Sequence, residues 1–210
     1  MGTIKIQLGN KTISFLIIPL AFIKRDIRNV FFDKKNKTLK QTFRHHKYSR
    51  LNKLLGDMYK KYDNNKIGGF LKELKENEDK NYLCFLNKYG DNKFCEFAIN
   101  QYFDDKGIYC FIVSNKIKYV GRCSDNFRKR INQGYGKINP KNCFIDGQST
   151  NCRLNSLINE EKEVMLGIYL MTDQTTKQIN EFEKFILAFA SFDWNTSTVN
   201  TGTKSTVYKK

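Results

Sequence analysis

Two short runs of strand-forming residues, followed directly by a helical pattern, constrain the fold of this 210-residue chain more than any other feature. Residues 108–113 and 117–121 are rich in β-branched and aromatic side chains, and Ser114-Asn115-Lys116 between them suits a turn. A three-residue loop pairs the strands in this register: Val113 with Ile117, Phe111 with Tyr119, and Tyr109 with Gly121. Tyr109 and Tyr119 then lie on the same face of the sheet, whereas a two-residue loop would separate them.

A helix is expected after these strands, because Phe127 and Ile131 repeat at helical spacing. Arg130 falls on the same apolar side, whereas Arg128 and Lys129 point elsewhere. An arginine on the core side of a helix is costly unless it binds an anion or a carboxylate. The alternative is an arginine at the edge of the apolar stripe that extends its charge into water.

Residues 175–190 predict a second amphipathic helix, whose apolar side begins with Ile179. At about 100° per residue from Ile179, Glu183 falls at about 40°, inside the apolar face, and Glu181 at about 200°, on the polar face. A glutamate that faces the core is usually ion-paired or bound to a metal. The helical phase alone leaves open whether Glu183 pairs with Arg130 or ligates a metal ion.

The charge balance indicates an acidic partner. The chain has 37 Lys and Arg against 21 Asp and Glu, a formal net charge of +16. Residues 1–106 carry 22 basic and 12 acidic side chains, and residues 24–53 alone carry 11 basic and 2 acidic ones, interleaved with aromatic and amide side chains. Such a mixture suits contacts with phosphates and bases, although a solvated lysine-rich surface is the alternative reading.

The N-terminal 105 residues predict a β-hairpin followed by helices. Alternating apolar residues flank Gly9-Asn10, a two-residue turn that pairs Leu8 with Lys11, Ile6 with Ile13 and Ile4 with Phe15. Apolar residues at helical spacing predict helices over residues 20–30, 40–62 and 70–78, with a loop over 61–69. On the second of these helices the apolar stripe comprises Phe43, Leu51, Leu54, Leu55 and Met58.

The remaining composition argues against several classes of protein. The six cysteines form no CxxC pair, so we expect reduced, mostly buried thiols rather than a zinc site or disulfides. The only histidines, His45 and His46, are adjacent, which disfavours a two-histidine metal site or a Ser/His/Asp triad. The longest apolar run, residues 14–23, is about half the length of a membrane span, and no signal peptide is evident. A cytoplasmic protein is therefore expected.

Together these residues resemble the GIY-YIG nuclease superfamily. Gly107-Ile108-Tyr109 matches the first motif and Tyr119-Val120-Gly121 the second, about ten residues later. Arg130 corresponds to the helical arginine, Glu183 in EKFIL to the glutamate, and Asn195 to the asparagine about twelve residues further on. The resemblance covers residues 107–195. Two short motifs alone would be weak, but five elements in order, two of them marked by helical phase, are specific.

The resemblance implies an α+β fold with a small central antiparallel sheet flanked by helices. It places a catalytic domain at residues 106–210 and leaves residues 1–105 as a basic, mostly helical extension for DNA grip and specificity. Many family members have a histidine about four residues after the arginine, where this chain has Gly134 followed by Tyr135. Some restriction enzymes of the family are similar in using tyrosine there, which makes Tyr135 the candidate.

The family's chemistry implies a role for each matched residue. Glu183 would hold one divalent ion, Mg²⁺ or Mn²⁺ as a substitute, and Arg130 would clamp the phosphate. Tyr109 would orient or deprotonate the attacking water, with Tyr119 and Tyr135 assisting, and Asn195 would support the site. A neutral phenol is a poor base, so this role requires nearby positive charge from Lys118, Arg122 or Arg130. The candidate DNA contacts are Lys34, Lys35, Lys37, Arg44, Lys118, Arg122, Lys137, Gln148, Asn151 and Arg153.

The expected activity is hydrolysis of phosphodiester bonds in double-stranded DNA. The small size and the N-terminal position of the extra region resemble type II restriction enzymes of this superfamily. One active site per chain suggests a homodimer on a symmetric DNA site, with a cognate DNA methyltransferase encoded nearby. The alternatives are a phage, mobile-element or repair nuclease, or a DNA-binding protein with a degenerate site.

Overall fold

The computed structural model describes residues 2–196 and shows an α+β fold, as the sequence predicts. The strands are β1 Thr3–Leu8, β2 Lys11–Pro19, β3 Ala21–Ile27, β4 Phe94–Ala98, β5 Gly107–Val113, β6 Lys116–Cys123 and β7 Met165–Leu170. The α-helices are α1 Leu39–Phe43, α2 Ser49–Leu55, α3 Ile67–Glu76, α4 Ser149–Glu160 and α5 Thr176–Phe189, and a π-helix spans Arg128–Tyr135. Within residues 2–196, no helix is long and apolar enough to cross a membrane.

The described chain divides into two compact units. The first, here called the sheet unit, comprises residues 2–23, 97–134 and 160–196; the second, the helical unit, comprises Lys24–Glu96 and Tyr135–Asn159. The boundary expected near residue 105 does not coincide with this division. The physical reason is that β2 pairs with β7 along Leu16–Pro19, so the N-terminal hairpin completes the sheet that contains the two motif strands.

The sheet unit is built on a five-stranded antiparallel sheet in the order β1-β2-β7-β5-β6. The predicted hairpin register is confirmed: Leu8 pairs with Lys11, Ile6 with Ile13 and Ile4 with Phe15. Ile179 and Ile186 of α5 pack into one core cluster with Ile108, Cys110 and Val120, which share one face of β5 and β6. Phe127, which directly precedes the π-helix, packs on the opposite face of the sheet, where its ring lies 6.4 Å from the ring of Tyr109.

Strands β5 and β6, which contain the two motifs, form two of the three predicted residue pairs, but the loop between them has a different length. Phe111 faces Tyr119 and Tyr109 faces Gly121, as predicted, but Val113 faces Lys116, so the loop has two residues rather than three. Those two residues, Ser114 and Asn115, have φ of +48° and +59°, as type I′ hairpin turns require. The register shifts between Phe111 and Ile112, so that Lys118 is an extra residue on β6. This shift compensates for the shorter loop and keeps Tyr109 and Tyr119 on one face.

The helical unit corrects two helix predictions. Residues 21–27 form β3, which pairs with β4, because pairing with a partner strand overrides the local helical spacing. Residues 40–62 form α1, α2 and short 3₁₀ turns rather than one helix, and Leu54 and Met58 are 66% and 62% exposed, outside the expected apolar stripe. The third helix, expected over 70–78, begins earlier, at Ile67.

The cysteines are free thiols, as predicted. Cys84 is exposed, and the other five, Cys95, Cys110, Cys123, Cys143 and Cys152, are buried. Burial raises the pKa of the Cys95 thiol to about 12, which keeps it protonated and unreactive at neutral pH.

The core of the helical unit contains a buried ion pair that the sequence did not suggest. Lys34, predicted as a DNA contact, has a side chain only 3% exposed, with Nζ 3.6 Å from Asp146 Oδ1 and 3.9 Å from the centre of the Phe144 ring. Burial lowers the pKa of Lys34. Burial also acts to raise the pKa of Asp146, but the Tyr48 hydroxyl, which donates to Oδ1 at 2.7 Å, and the Lys34 charge hold it below its ordinary value. Lys34 therefore lies within the core and offers no charge to the surface.

Removing one member of this pair should destabilise the protein. We expect Asp146→Leu to lower the free energy of unfolding by about 3 kcal/mol, because it leaves the Lys34 ammonium buried without its counter-charge. The double variant Lys34→Met/Asp146→Leu should recover part of that loss, because the unpaired charge is gone while the buried Tyr48 hydroxyl still lacks its acceptor. Urea denaturation of the three proteins measures both effects, and a double variant no more stable than Asp146→Leu would contradict the interpretation.

Candidate active site

Four successive residues of β6 connect the elements that the sequence singled out. Tyr119 is the tyrosine of the second motif, and Val120, Gly121 and Arg122 follow it on β6, which is an edge strand of the sheet. Successive side chains of a strand point to opposite faces, so Tyr119 and Gly121 belong to the π-helix side, and Val120 and Arg122 to the α5 side.

Gly121 makes room for both motif tyrosines. A Cβ at this position would lie 2.6 Å from Tyr109 Oη and 2.7 Å from Tyr119 Cε1. The two rings have centroids 6.1 Å apart, and both side chains are buried. The second motif therefore needs glycine because the tyrosine rings occupy the space of its side chain. Gly107 of the first motif is similarly restricted, since its φ is +146° and a Cβ would lie 2.1 Å from the carbonyl oxygen of Tyr169.

Substitution of Gly121 tests this packing. We expect Gly121→Ala to lower the free energy of unfolding by about 2 kcal/mol, because the methyl group must displace two buried rings. Gly69→Ala is the matched control: no atom lies within 4 Å of its added Cβ, and alanine inside α3 should instead stabilise by about 0.5–1 kcal/mol. Thermal or urea unfolding gives both values, and equal stabilities for the two variants would contradict the packing argument.

Arg130 is hydrogen-bonded to the first motif tyrosine. Its Nε donates to Tyr109 Oη at 3.0 Å, and its guanidinium carbon lies 5.9 Å from the ring centre. Arg130 is half-buried, whereas Arg128 and Lys129 are exposed, as the helical phase predicts. The arginine expected on the core side of this helix thus contacts the phenol oxygen expected to act on water.

Asn195 binds the backbone of β6 with both ends of its amide. The Val120 N–H donates to Oδ1 at 2.9 Å, and Nδ2 donates to the Val120 carbonyl at 2.8 Å. The Trp194 N–H also donates to the Lys118 carbonyl at 2.8 Å. Because β6 is an edge strand of the sheet, these bonds occupy its free edge and hold the backbone on both sides of Tyr119. The structure thus attaches Asn195 to β6, and its supporting role in catalysis stays a prediction.

Glu183 faces inward and Glu181 faces water, which confirms the predicted phase of α5. The Glu183 side chain is 13% exposed and its Oε2 is ion-paired with Nη1 of Arg122. Of the two roles left open for Glu183, the structure shows an ion pair, but with Arg122 rather than Arg130. The site therefore consists of two groups. Tyr109, Tyr119 and Arg130 form the first, and Glu183 and Arg122 form the second. Strand β6 contributes Tyr119 to the first group and Arg122 to the second.

The donors available to a metal ion are oxygens on α5. Within residues 2–196, no group of three or more His, Cys, Asp or Glu side chains is placed to hold a metal. Oδ1 of Asn180 is buried and has no hydrogen-bond partner in this part of the chain. Asn180 precedes Glu183 by three residues, so the two are neighbours on the helix surface. Carboxylate and amide oxygens are ligand types that Mg²⁺ accepts.

Tyr135 ends the π-helix that carries Arg130. A π-helix repeats at i to i+5 rather than i to i+4, so Tyr135, and not Gly134, follows Arg130 by one turn. The Tyr135 side chain is fully buried, and its carbonyl oxygen accepts a hydrogen bond from Asn155 Nδ2 at 2.6 Å.

The predicted DNA contacts differ in how far they reach the surface. Lys35, Arg44, Arg122, Lys137 and Gln148 are exposed, and Lys37, Lys118 and Arg153 are half-buried. Lys118 is paired with Asp193 at 2.7 Å, and Lys137 with Glu96 at 3.4 Å. Lys34 and Asn151 are buried, so their side chains are not placed to reach a ligand at the surface.

Three features of this site were not predicted from the sequence. They are the Arg122–Glu183 ion pair, the double hydrogen bond of Asn195 and the Asn180 oxygen that has no hydrogen-bond partner among residues 2–196. Only Asn180 left a signal that could have been found, since it stands three residues before an inward-facing glutamate.

Comparisons with protein-family models, with curated proteins and with solved structures found no match to this chain.

Proposed function

We propose that this protein is a metal-dependent DNA endonuclease of the GIY-YIG type. The observation that carries the proposal is the hydrogen bond from Arg130 Nε to Tyr109 Oη, beside a glycine that admits both motif tyrosines. This hydrogen bond pairs a phenol oxygen with a guanidinium, and Glu183, ion-paired with Arg122 on the other face of β6, adds a carboxylate. Phosphodiester hydrolysis uses groups of these three kinds.

The chain's own residues divide the chemistry between them. Arg130 bears positive charge and further N–H donors that can bind a non-bridging phosphate oxygen while Nε remains on Tyr109. A charge-assisted hydrogen bond favours negative charge on the Tyr109 oxygen, which helps that oxygen to accept a proton from the attacking water. Tyr119 packs against Tyr109 and limits its movement.

A divalent cation would be held by Glu183, with Asn180 Oδ1 as a second oxygen ligand. When bound, Mg²⁺ or Mn²⁺ would neutralise charge on the phosphate and stabilise the departing oxygen. Glu183 meets this requirement only after its ion pair with Arg122 has opened.

The charge distribution supports a DNA substrate. The helical unit has 22 basic and 11 acidic residues, a net charge of +11, which is most of the chain's excess. A positive surface of this kind attracts a polyanion and concentrates it near the protein.

The contribution of this surface is measurable from the salt dependence of DNA binding. We expect the triple variant Lys35→Gln/Lys37→Gln/Arg44→Gln to reduce the slope of log Kd against log salt by about one unit for each phosphate that the protein no longer neutralises. Lys72→Gln is the control, because Lys72 is exposed but already paired with Glu76 at 3.7 Å. Fluorescence anisotropy with a labelled duplex gives the slopes, and an unchanged slope in the triple variant would mean that these charges do not contact DNA.

Incubation with supercoiled plasmid and Mg²⁺ tests the activity itself. Discrete fragments would identify a sequence-specific enzyme of the type II restriction class, and a smear a nonspecific nuclease. Binding that persists in EDTA, with no cleavage in Mg²⁺ or Mn²⁺, would contradict the enzyme proposal and leave a DNA-binding protein.

The restriction hypothesis also proposes a homodimer. One site per chain cuts one strand, so two chains related by a two-fold axis would cut both strands of a symmetric sequence. Sedimentation with and without a cleavable duplex checks the stoichiometry, and a DNA methyltransferase encoded beside this gene would favour restriction over phage or repair roles.

A further inference from the structure

The Arg122–Glu183 ion pair joins two residues that differ in their access to water. The Glu183 side chain is 13% exposed, whereas the Arg122 side chain is 43% exposed. The Glu183 carboxylate is therefore mostly shielded from solvent. The Arg122 guanidinium can move away from it directly into solvent.

A carboxylate so poorly hydrated needs a positive partner, because the loss of water around a charge is costly unless another charge compensates it. In this structure Arg122 is that partner. A divalent cation would need the same carboxylate, so the cation and the guanidinium compete for it. Without DNA, Arg122 should hence lower the affinity of the site for a metal ion.

DNA changes the outcome of this competition. The planar guanidinium of arginine binds phosphate oxygens through two parallel hydrogen bonds. Arg122 lies on the edge strand β6 and its side chain is 43% exposed, so a backbone phosphate that approaches this edge of the sheet can reach its guanidinium. Transfer of the Arg122 guanidinium from Glu183 to the phosphate would leave the Glu183 carboxylate without a positive partner.

We infer that Arg122 couples metal binding to DNA binding: it blocks the carboxylate of Glu183 in the free protein and releases it when a backbone phosphate binds. The inference rests on the proposed function. Because binding linkage is reciprocal, DNA raises the metal affinity by the same factor by which the metal raises the DNA affinity. The site would thus load its metal chiefly on DNA.

Binding of Mn²⁺ alone to the full chain, followed by the paramagnetic resonance signal of the free ion, tests the blocking role. We expect Arg122→Gln to bind Mn²⁺ about fivefold more tightly than the unaltered protein, since the competing ion pair is gone. Arg128→Gln is the matched control, because Arg128 is exposed and its guanidinium lies over the Phe103 ring. Arg122→Gln/Glu183→Gln should lose the gained affinity.

Duplex binding measures the coupling. In a Tyr109→Phe background, which keeps Arg122 and Glu183, Mn²⁺ should raise duplex affinity by a larger factor than in the same background with Arg122→Gln. Thermal unfolding without metal confirms that each variant is folded.

Equal Mn²⁺ affinity in the unaltered protein and in folded Arg122→Gln would overturn the inference. That result is distinguishable from failure of the proposed function. Plasmid cleavage by the unaltered protein, with no effect of Arg122→Gln on Mn²⁺ binding, removes the coupling alone. Absence of cleavage removes the enzyme proposal.

Discussion

Glu183→Gln should abolish DNA cleavage while duplex binding measured without metal stays within about twofold of the unaltered protein. The substitution keeps the size of a side chain that is 13% exposed and removes the negative charge that would hold the metal ion. A rate loss of about 10³-fold or more is expected, because the metal supplies several kcal/mol of transition-state stabilisation. Initial rates on plasmid and anisotropy on an identical duplex give the two quantities.

Glu181→Gln provides the matched control, since Glu181 lies two residues away on the same helix and faces water. Its cleavage rate should be nearly that of the unaltered protein. Equal losses in the two variants would refute the argument from the phase of α5, and strong loss of DNA binding in Glu183→Gln would assign the residue a structural role instead.

Tyr109→Phe should reduce the cleavage rate by about 10²- to 10⁴-fold, the range expected for loss of a general base. The ring stays in place beside Tyr119 and Phe127, so the fold should be retained, but the oxygen that accepts from Arg130 is gone. Because Arg130 then loses a hydrogen-bond partner, a smaller decrease in stability is also expected.

Tyr169→Phe controls for the general effect of losing a tyrosine hydroxyl. Tyr169 lies on β7, and its ring packs against Phe182 of α5 rather than on the Arg130 side. Its removal should leave the cleavage rate unchanged. A Tyr109→Phe protein that cleaves at the normal rate would exclude this hydroxyl from the reaction and leave Tyr119 or Tyr135 as candidates.

The parts of the fold that could be predicted from sequence are those whose pattern is local and strongly constrained. The alternation around Gly9-Asn10 sets the hairpin register. The pairing of Tyr109 with Gly121 was predicted from a three-residue loop, and it is observed with a two-residue loop and a register shift after Phe111. Residues 21–27 were predicted wrongly, because their apolar spacing fits a helix while their actual partner, β4, is about 70 residues away in sequence.

The candidate site was predictable to a similar degree. Helical phase placed Arg130 and Glu183 correctly, since their immediate neighbours determine which side of the helix they occupy. Burial of Lys34 could not be predicted, because it depends on three residues that lie far from it in the sequence, Asp146, Tyr48 and Phe144. The Arg122 partner of Glu183 is likewise a tertiary contact that has no local pattern.

The central claim is that the residues gathered along β6 cleave DNA with a divalent cation. The most direct test compares the unaltered protein and Glu183→Gln on one end-labelled duplex, with binding and cleavage measured in parallel in Mg²⁺. We predict binding by both proteins and cleavage by the unaltered protein alone. Tight binding without cleavage by the unaltered protein, in Mg²⁺ and in Mn²⁺, would contradict this claim.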